Sequence, residues 1–423
     1  MQTNLAPAHQ GTADGQAAEA ILRKCVHCGF CTATCPTYQL LGDELDGPRG
    51  RIYLIKQVLE GHTPTRKTQQ HLDRCLTCRN CETTCPSGVN YGELVEIGRR
   101  VVDAQVERPA AERAARWALK EGLTSPLFGP AMKLGQMLRP LVPAALKDKV
   151  PAAAGPRARQ WPQRSHARKV LMPLGCVQPA MAPNIDSATA RVLDACGIQA
   201  LVSNEGGCCG AIRAHLGDQA GGLADVRRNV DAWWPLVERG EVEAIVVNAS
   251  GCGAMVKDYG HLLAGDPAYA GRAAQVAALT RDPSELLADL VPALQPLLNP
   301  ARPAGSPARG PARPRLAYHP PCTLQHAQKL RGGVEAGLRA LGFEVEVART
   351  ESHLCCGSAG TYSVLQPELA KQLRDRKLDA LAPIAPQAIV SANIGCIQHL
   401  QSGTATPVRH WIELVDEAIA GAR

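Results

Sequence analysis

Two runs of cysteines carry the chemistry. Cys25-x2-Cys28-x2-Cys31-x3-Cys35-Pro36 is followed by Cys75-x2-Cys78-x2-Cys81-x3-Cys85-Pro86. Three thiolates at this spacing wrap a short loop around three corners of a [4Fe–4S] cube. The fourth turns away and, where two such runs occur together, ligates the cube held by the other run. The expected sets are Cys25, Cys28, Cys31 and Cys85 for a first cluster, and Cys75, Cys78, Cys81 and Cys35 for a second. The proline that ends each run has a fixed φ and no amide proton, so it leads the chain away from the cluster. Zinc competes for any C-x2-C pair. It accounts neither for four cysteines per run nor for the proline and the repetition. The chemistry on offer is one-electron transfer, and no catalytic acid, base or nucleophile is assigned.

A second constellation repeats in the C-terminal half. One unit contains Cys176, then Cys208-Cys209-Gly210, then Cys252; the other contains Cys322, then Cys355-Cys356-Gly357, then Cys396. Cys176 to Cys208 spans 32 positions and Cys322 to Cys355 spans 33, and the last intervals, Cys209 to Cys252 and Cys356 to Cys396, are 43 and 40. An adjacent Cys-Cys-Gly placed twice with matching flanks reads as a ligand pattern, because glycine lets backbone approach a bulky inorganic group. Buried structural thiols are the competing reading. It suits Cys196, which has no counterpart in the second unit. The expected sites are Cys176, Cys208, Cys209 and Cys252, and Cys322, Cys355, Cys356 and Cys396. One or both would take a further iron–sulfur cluster or Zn, with a site left without metal as the remaining alternative. His27, His319 and His353 lie near these cysteines and could tune a cluster, but such histidines more often pack or face solvent, and none is placed among the ligands. Asn248 and Asn393, four and three residues before their last cysteines, are read as equivalent braces of the loop.

The elements that must position these thiols follow from pattern. Between the cysteine runs, Ile52, Ile55 and Leu59 share one helical face, stopped by Gly61. Another helix is expected from Tyr91 to about Glu107, so residues 1–110 read as a helical two-cluster ferredoxin domain rather than a small β-sheet one. In the C-terminal units each cysteine block follows a short β-rich run, at Lys169–Leu174, Gln199–Ser203 and Glu243–Val247. A helix over Ser187–Cys196 separates the first two, and the second unit repeats the pattern with a helix at Val334–Leu341 and a strand at Glu344–Ala348. Strand–helix alternation predicts parallel α/β sheets, whose ligands gather beyond the carboxyl ends of the strands. The chain is thus an α+β multi-domain protein: 1–110, a helical and basic linker at 111–166, a first unit at 167–300, a Pro/Ala/Arg linker at 301–315, and a second unit at 316–423.

Composition narrows the setting. The chain has 423 residues, 17 cysteines and a formal charge of +7. Residues 1–20 lack the basic start and apolar stretch of a secretory signal, and cysteines at cluster spacing suit a reducing compartment. No run approaches the roughly 18 apolar residues of a membrane span. Residues 147–169 carry a net +6 and residues 301–315 a net +4. These stretches read as solvated linkers or as footholds on an anionic membrane surface. Aromatics are only 4% of the chain and do not interleave with the basic residues, which argues against nucleic acid. There is no G-x-G-x-x-G after a strand and no phosphate loop, so no nucleotide or flavin site is expected here.

With both cysteine patterns in view, the chain resembles the iron–sulfur subunits of bacterial glycolate oxidase (glycolate dehydrogenase). The likeness runs through Cys25–Pro86, including Tyr38–Gly50, and through Thr323–Leu330, His353–Tyr362 and Pro407–Glu413. The C-terminal units are similar to the cysteine-rich CCG domains shared with heterodisulfide reductase, anaerobic glycerol-3-phosphate dehydrogenase and lactate-utilisation proteins. The resemblance implies an oxidoreductase subunit that relays electrons toward quinone from FAD-containing subunits oxidising glycolate to glyoxylate. It implies a cytoplasmic location, peripheral to the inner face of the cell membrane. The same relay serving lactate or glycerol-3-phosphate, a Zn-holding scaffold, and thiol–disulfide chemistry at the CCG sites are the alternatives. The heterodisulfide reductase pattern closes with C-x2-C, where this chain has Ala249 and Asn393, so that enzyme's noncubane clusters do not carry over directly.

Overall fold

The computed structural model describes residues 1–141, 158–203, 205–298 and 313–422. Among the described residues no strand precedes residue 168, and the N-terminal domain is helical. Its main helices are Ala13–Lys24, Pro48–Leu59, Arg66–Asp73 and Tyr91–Gln105. The third is closed by a reciprocal Thr65/Thr68 capping box, and Pro48 sits at the first turn of the second, where its missing N–H costs nothing. Ile52, Ile55 and Leu59 are buried with Leu22, Leu72, Leu94 and Ile97 in one core, as the helical periodicity requires. Two further helices, Ala110–Thr124 and Phe128–Met137, bury no residue and leave Trp117, Leu127 and Met137 largely exposed.

Each C-terminal unit is built on a four-stranded parallel sheet. The first has β1 (Arg168–Leu171), β2 (Ile198–Leu201), β3 (Ala244–Val246) and β4 (Thr280–Arg281), in the order β2-β1-β3-β4. The second has β5 (Leu316–Tyr318), β6 (Val345–Val347), β7 (Ala388–Ser391) and β8 (Val408–His410), in the order β6-β5-β7-β8. The predicted parallel α/β class is therefore the observed one. The fourth strand of each sheet was not expected: two or three residues are too few to show a period of two.

The units are not beads on a string. Helix Pro183–Ala195 of the first packs on helix Trp411–Ala422 of the second, and one continuous apolar core runs from Val170 and Ile185 to Val390 and Trp411. At the junction, Ser250 N–H donates to the Ala392 carbonyl at 3.0 Å, and Gln328 Nε2 donates to the Ser250 carbonyl at 2.9 Å.

A buried polar cluster fixes the helix–strand crossing in the first unit. Asp186 Oδ1 accepts from Gln178 Nε2 at 2.7 Å and from Asn248 Nδ2 at 3.0 Å. Burial pushes the Asp186 carboxyl up to about 6, against the help of those two donors. A carboxyl raised on folding is neutral at no cost below its unfolded value and must stay charged, unfavourably, above the folded one. Asp186→Asn keeps the accepting oxygen and removes the charge. It is expected to stabilise the protein by about 1–2 kcal/mol at pH 8, with the gain fading between pH 6 and 4. Thermal melts of both proteins across that range check this.

The basic stretches are only partly described. Lys147, Lys149, Arg157, Arg302 and Arg309 lie outside the described residues. Among those described, Arg159 pairs with Asp416, Arg164 with Asp194, and Arg168 with Glu243 at 2.6 Å. Arg313 and Arg315 donate to the backbone carbonyls of Leu298 and Ala385. These five arginines hold the chain's own surface together.

Candidate metal centres

The two cysteine loops share a backbone shape that their sequences do not advertise. His27 and Gly29 in the first, and Thr77 and Arg79 in the second, occupy equivalent positions with φ between +51° and +87°. Three of these four are not glycine. Such residues cost of order 1–2 kcal/mol each in the left-handed region and persist only where the surroundings demand it. The result is that amide groups turn inward: Thr77 N–H lies 3.4 Å from Cys75 Sγ.

The thiols group across the runs. Cys31 lies in the electrostatic reach of Cys25, Cys28 and Cys85, and these four line one pocket open to solvent. Burial, then Cys25, pushes the Cys31 thiol up to about 11. Cys35 lies instead among Cys75, Cys78 and Cys81. Burial raises Cys78 and Cys81, and their neighbouring sulfurs add to the rise. Cys75 behaves differently. Burial would raise it too, but the Arg51 and Arg99 guanidiniums hold it below the ordinary thiol value. Arg51 is almost wholly buried and pairs with the equally buried Asp46 at 3.4 Å, which also takes Arg74 at 2.8 Å. Nothing in the local spacing signals these arginines, since Arg99 reaches back from the helix after the second run to the Cys75 carbonyl.

In the C-terminal units all eight repeat cysteines sit beyond the carboxyl ends of the strands. Cys176 and Cys208 Sγ are 3.5 Å apart, and Cys322 and Cys355 Sγ are 3.7 Å apart. Cys209 faces Cys252, and Cys356 faces Cys396. Cys196 stands apart, at the end of its helix. The Cys-Cys-Gly loop of the first unit is braced by Asn229 Nδ2, which donates to the Cys208 carbonyl at 2.8 Å, and by the Tyr259 hydroxyl, which donates to that of Cys209 at 3.0 Å. Neither residue was marked by any motif.

The glycine of each Cys-Cys-Gly packs directly against a helix. Gly210 and Gly357 both have φ near +90°, and a Cβ there would meet the Gly222 carbonyl oxygen at 2.8 Å or the Ala370 carbonyl oxygen at 2.5 Å. Gly357→Ala is expected to cost about 2–4 kcal/mol and to lower the melting temperature. An unchanged melt would show that the loop can relax.

Asn248 and Asn393 are not equivalent. Ala249 and Asn393 are the matching residues, each preceding the helix that carries the last cysteine, Ser250–Lys257 and Ile394–Gln401. Asn393 Nδ2 lies 3.6 Å from Cys396 Sγ, whereas Asn248 bonds Asp186 and Thr189. The intervals to the last cysteine differ by one residue, and the eye pairs the wrong asparagine. His27 stacks edge-on to Tyr53, and the His353 carbonyl accepts from His326 Nε2 at 2.8 Å.

All of these cysteines are free thiols, crowded and mostly buried. So many sulfurs in contact, away from water, call for cations that stabilise the thiolates. The donor sets therefore fit metal. The N-terminal domain is bound to the second unit: Leu76 and Cys78 pack with Cys322, Cys355 and Tyr362, and Asn80 Nδ2 donates to the His353 carbonyl at 3.3 Å.

A helical domain with two four-cysteine loops, joined to two parallel-sheet units with four clustered thiols each, defines an iron–sulfur protein of the dicluster and cysteine-rich class. The family of 4Fe-4S dicluster domains matches residues 21–89, and that of cysteine-rich domains matches residues 170–257 and 316–401. The chain is 54% identical over 420 residues, 99% of both proteins, to the glycolate oxidase iron–sulfur subunit of Escherichia coli K12. It is 30% identical over 415 residues to the probable glycolate oxidase iron–sulfur subunit of Bacillus subtilis 168, covering 91% of this chain and 89% of that one. Lactate utilization protein A of an Exiguobacterium species is 25% identical over 256 residues, 58% of this chain and 96% of its own. The chain belongs to the family of glycolate oxidase iron–sulfur subunits and is an oxidoreductase subunit.

Proposed function

We propose that this chain relays electrons from FAD-bearing partner subunits, which oxidise glycolate to glyoxylate, toward a quinone acceptor at the cytoplasmic face of the membrane. The observation that carries the reading is the continuity of the thiol groups. Cys25, Cys28, Cys31 and Cys85 line an opening that Cys81 also lines; Cys81 belongs with Cys75, Cys78 and Cys35; and Cys78 packs against Cys322 and Cys355. We assign the first four to one [4Fe–4S] cluster and the second four to another. Bound there, the clusters supply reversible one-electron storage, which a two-electron flavin donor needs from a separate carrier.

The protein's own residues set the terms of transfer. Cys28 is exposed and flanked by exposed Val26 and Phe30, which makes the first centre the natural point of exchange with a partner. Arg51 and Arg99 place positive charge beside Cys75, favouring the more negative, reduced state of the second centre. Among the described residues no helix is long and apolar enough to cross a membrane, so attachment there would be peripheral.

The C-terminal sites are compact. Thiolates 3.5–3.7 Å apart match the edge of a tetrahedron with metal–sulfur bonds of about 2.3 Å, which is about 3.8 Å. Four thiols per unit suit Zn or a further iron–sulfur cluster.

The donor is tested by capturing the complex through this chain and measuring turnover with glycolate, lactate and glycerol-3-phosphate. Glycolate is expected to be the best substrate, with flavin present in the captured complex. Equal or faster turnover of lactate would move the relay to a different donor.

A further inference from the structure

His319 lies three residues before Cys322, where the first unit has Pro173 before Cys176. It follows β5, and its backbone is pinned on both sides: its N–H donates to the Val390 carbonyl at 2.8 Å, and its carbonyl accepts from Ser391 Oγ at 2.9 Å. The side chain is 1% exposed. Both ring nitrogens are buried, and neither has a hydrogen-bond partner. A neutral imidazole has one nitrogen able to donate and one able to accept, and leaving both unmet in the interior is unfavourable. Its neighbours supply the answer. Ligand atoms of His319, Cys356 and Cys396 lie within 4.8 Å of one another. Cys356 contacts Cys355, whose Sγ is 3.7 Å from that of Cys322. The charged group near this pocket is the buried Lys377, which donates to the Glu351 carbonyl.

We propose that His319 is a metal ligand of the second cysteine-rich unit, its imidazole completing a site with Cys322, Cys355, Cys356 and Cys396, while the first unit binds through thiolates alone. The proposal rests on the reading that the second unit holds metal. Imidazole binds the metal as a neutral donor through the nitrogen that lacks hydrogen. All four thiolates are kept, so the ring adds a neutral donor without changing the charge that the ligands bring to the site. The two units then differ in kind: they share a fold and a thiol pattern, but only the second, which packs against Cys78, carries the extra nitrogen.

The test uses the full chain purified anaerobically, with iron and zinc counted per chain. Cys356→Ser and Cys396→Ser define the metal of the second unit by what they lose. His319→Phe, which fills the same apolar space, is expected to lose that same metal, and His319→Cys to retain it. Thermal melts identify any variant that has failed to fold. In the unmodified chain, labelled with [15N]histidine, a directly bound nitrogen is expected by electron–nuclear double resonance if the metal is iron, or by zinc-edge X-ray absorption if it is zinc. If His319→Phe keeps the metal that Cys356→Ser loses, or no bound nitrogen is found, His319 only packs and the proposal falls while the metallated unit stands. If neither cysteine variant loses metal, the metallated reading falls first and takes the proposal with it.

Discussion

Cys35→Ser is expected to remove the second cluster, although Cys35 belongs to the first run. The physical reason is the turn at Pro36, which carries Cys35 away from Cys31. Its sulfur rests 3.3 Å from Thr37 Oγ1, and Thr37 is itself reached by Arg51 at 3.2 Å, on the side of Cys75. A serine there is a poorer ligand for iron, so the chain is expected to lose about four iron atoms, one cube's worth. The surviving EPR signal should be that of the centre held by Cys25, Cys28, Cys31 and Cys85. Cys31→Ser is expected to do the reverse, removing the first centre and sparing the second. If Cys35→Ser and Cys31→Ser instead abolish the same signal, ligation follows the order of the sequence and the crossed grouping is wrong.

The second large effect is expected at Arg51. Its guanidinium is buried with Asp46, hydrogen-bonds the His71 carbonyl at 2.7 Å, and acts electrostatically on both Cys35 and Cys75. Arg51→Met leaves Asp46 with Arg74 and His71 only. Stripping one partner from a buried ion pair costs about 3–5 kcal/mol, and the two remaining partners should hold the loss to about 2–3 kcal/mol. The charge matters separately from the fold. A unit charge roughly 5–8 Å from a redox centre acts with about 2–3 kcal/mol at an effective dielectric of about 20. For a one-electron couple that is about 90–130 mV. The second centre's midpoint potential should therefore fall by about that amount, because the reduced, more negative cluster loses its counter-charge, while the first centre moves much less. Arg51→Lys keeps the charge and should lose stability with little change in potential. A redox titration of both variants decides it: an intact second cluster at its original potential in Arg51→Met would make Arg51 purely structural.

What the sequence disclosed depended on the length scale of the physics involved. Ligand loops are local, so C-x2-C-x2-C-x3-C-P stood out at once, and the helix over Pro48–Leu59 followed from Ile52, Ile55 and Leu59. The parallel sheets were legible because strand and helix periods alternate between the cysteine blocks. β4 and β8 were not, being too short to carry a pattern. What lay beyond reach was long-range. Arg99 faces Cys75 from 24 residues away, and the Cys78 side of the ferredoxin domain meets Cys322 across more than 200 positions. No spacing rule anticipates either. His319 was visible as a histidine near a cysteine, but the loss of both hydrogen-bond partners is a three-dimensional fact. The Gly210 and Gly357 positions were picked out correctly and for an incomplete reason, since the nearest obstacle to a side chain is a helix carbonyl.

The central claim is that electrons from glycolate reach the clusters of this chain. It is tested by capturing the chain anaerobically from membranes together with its partners, adding glycolate, and recording EPR and visible absorbance. The expected result is bleaching of the cluster absorbance and appearance of reduced-cluster EPR signals with glycolate alone. Clusters that are reduced by dithionite, but stay oxidised under glycolate while the captured complex demonstrably contains flavin, would contradict it.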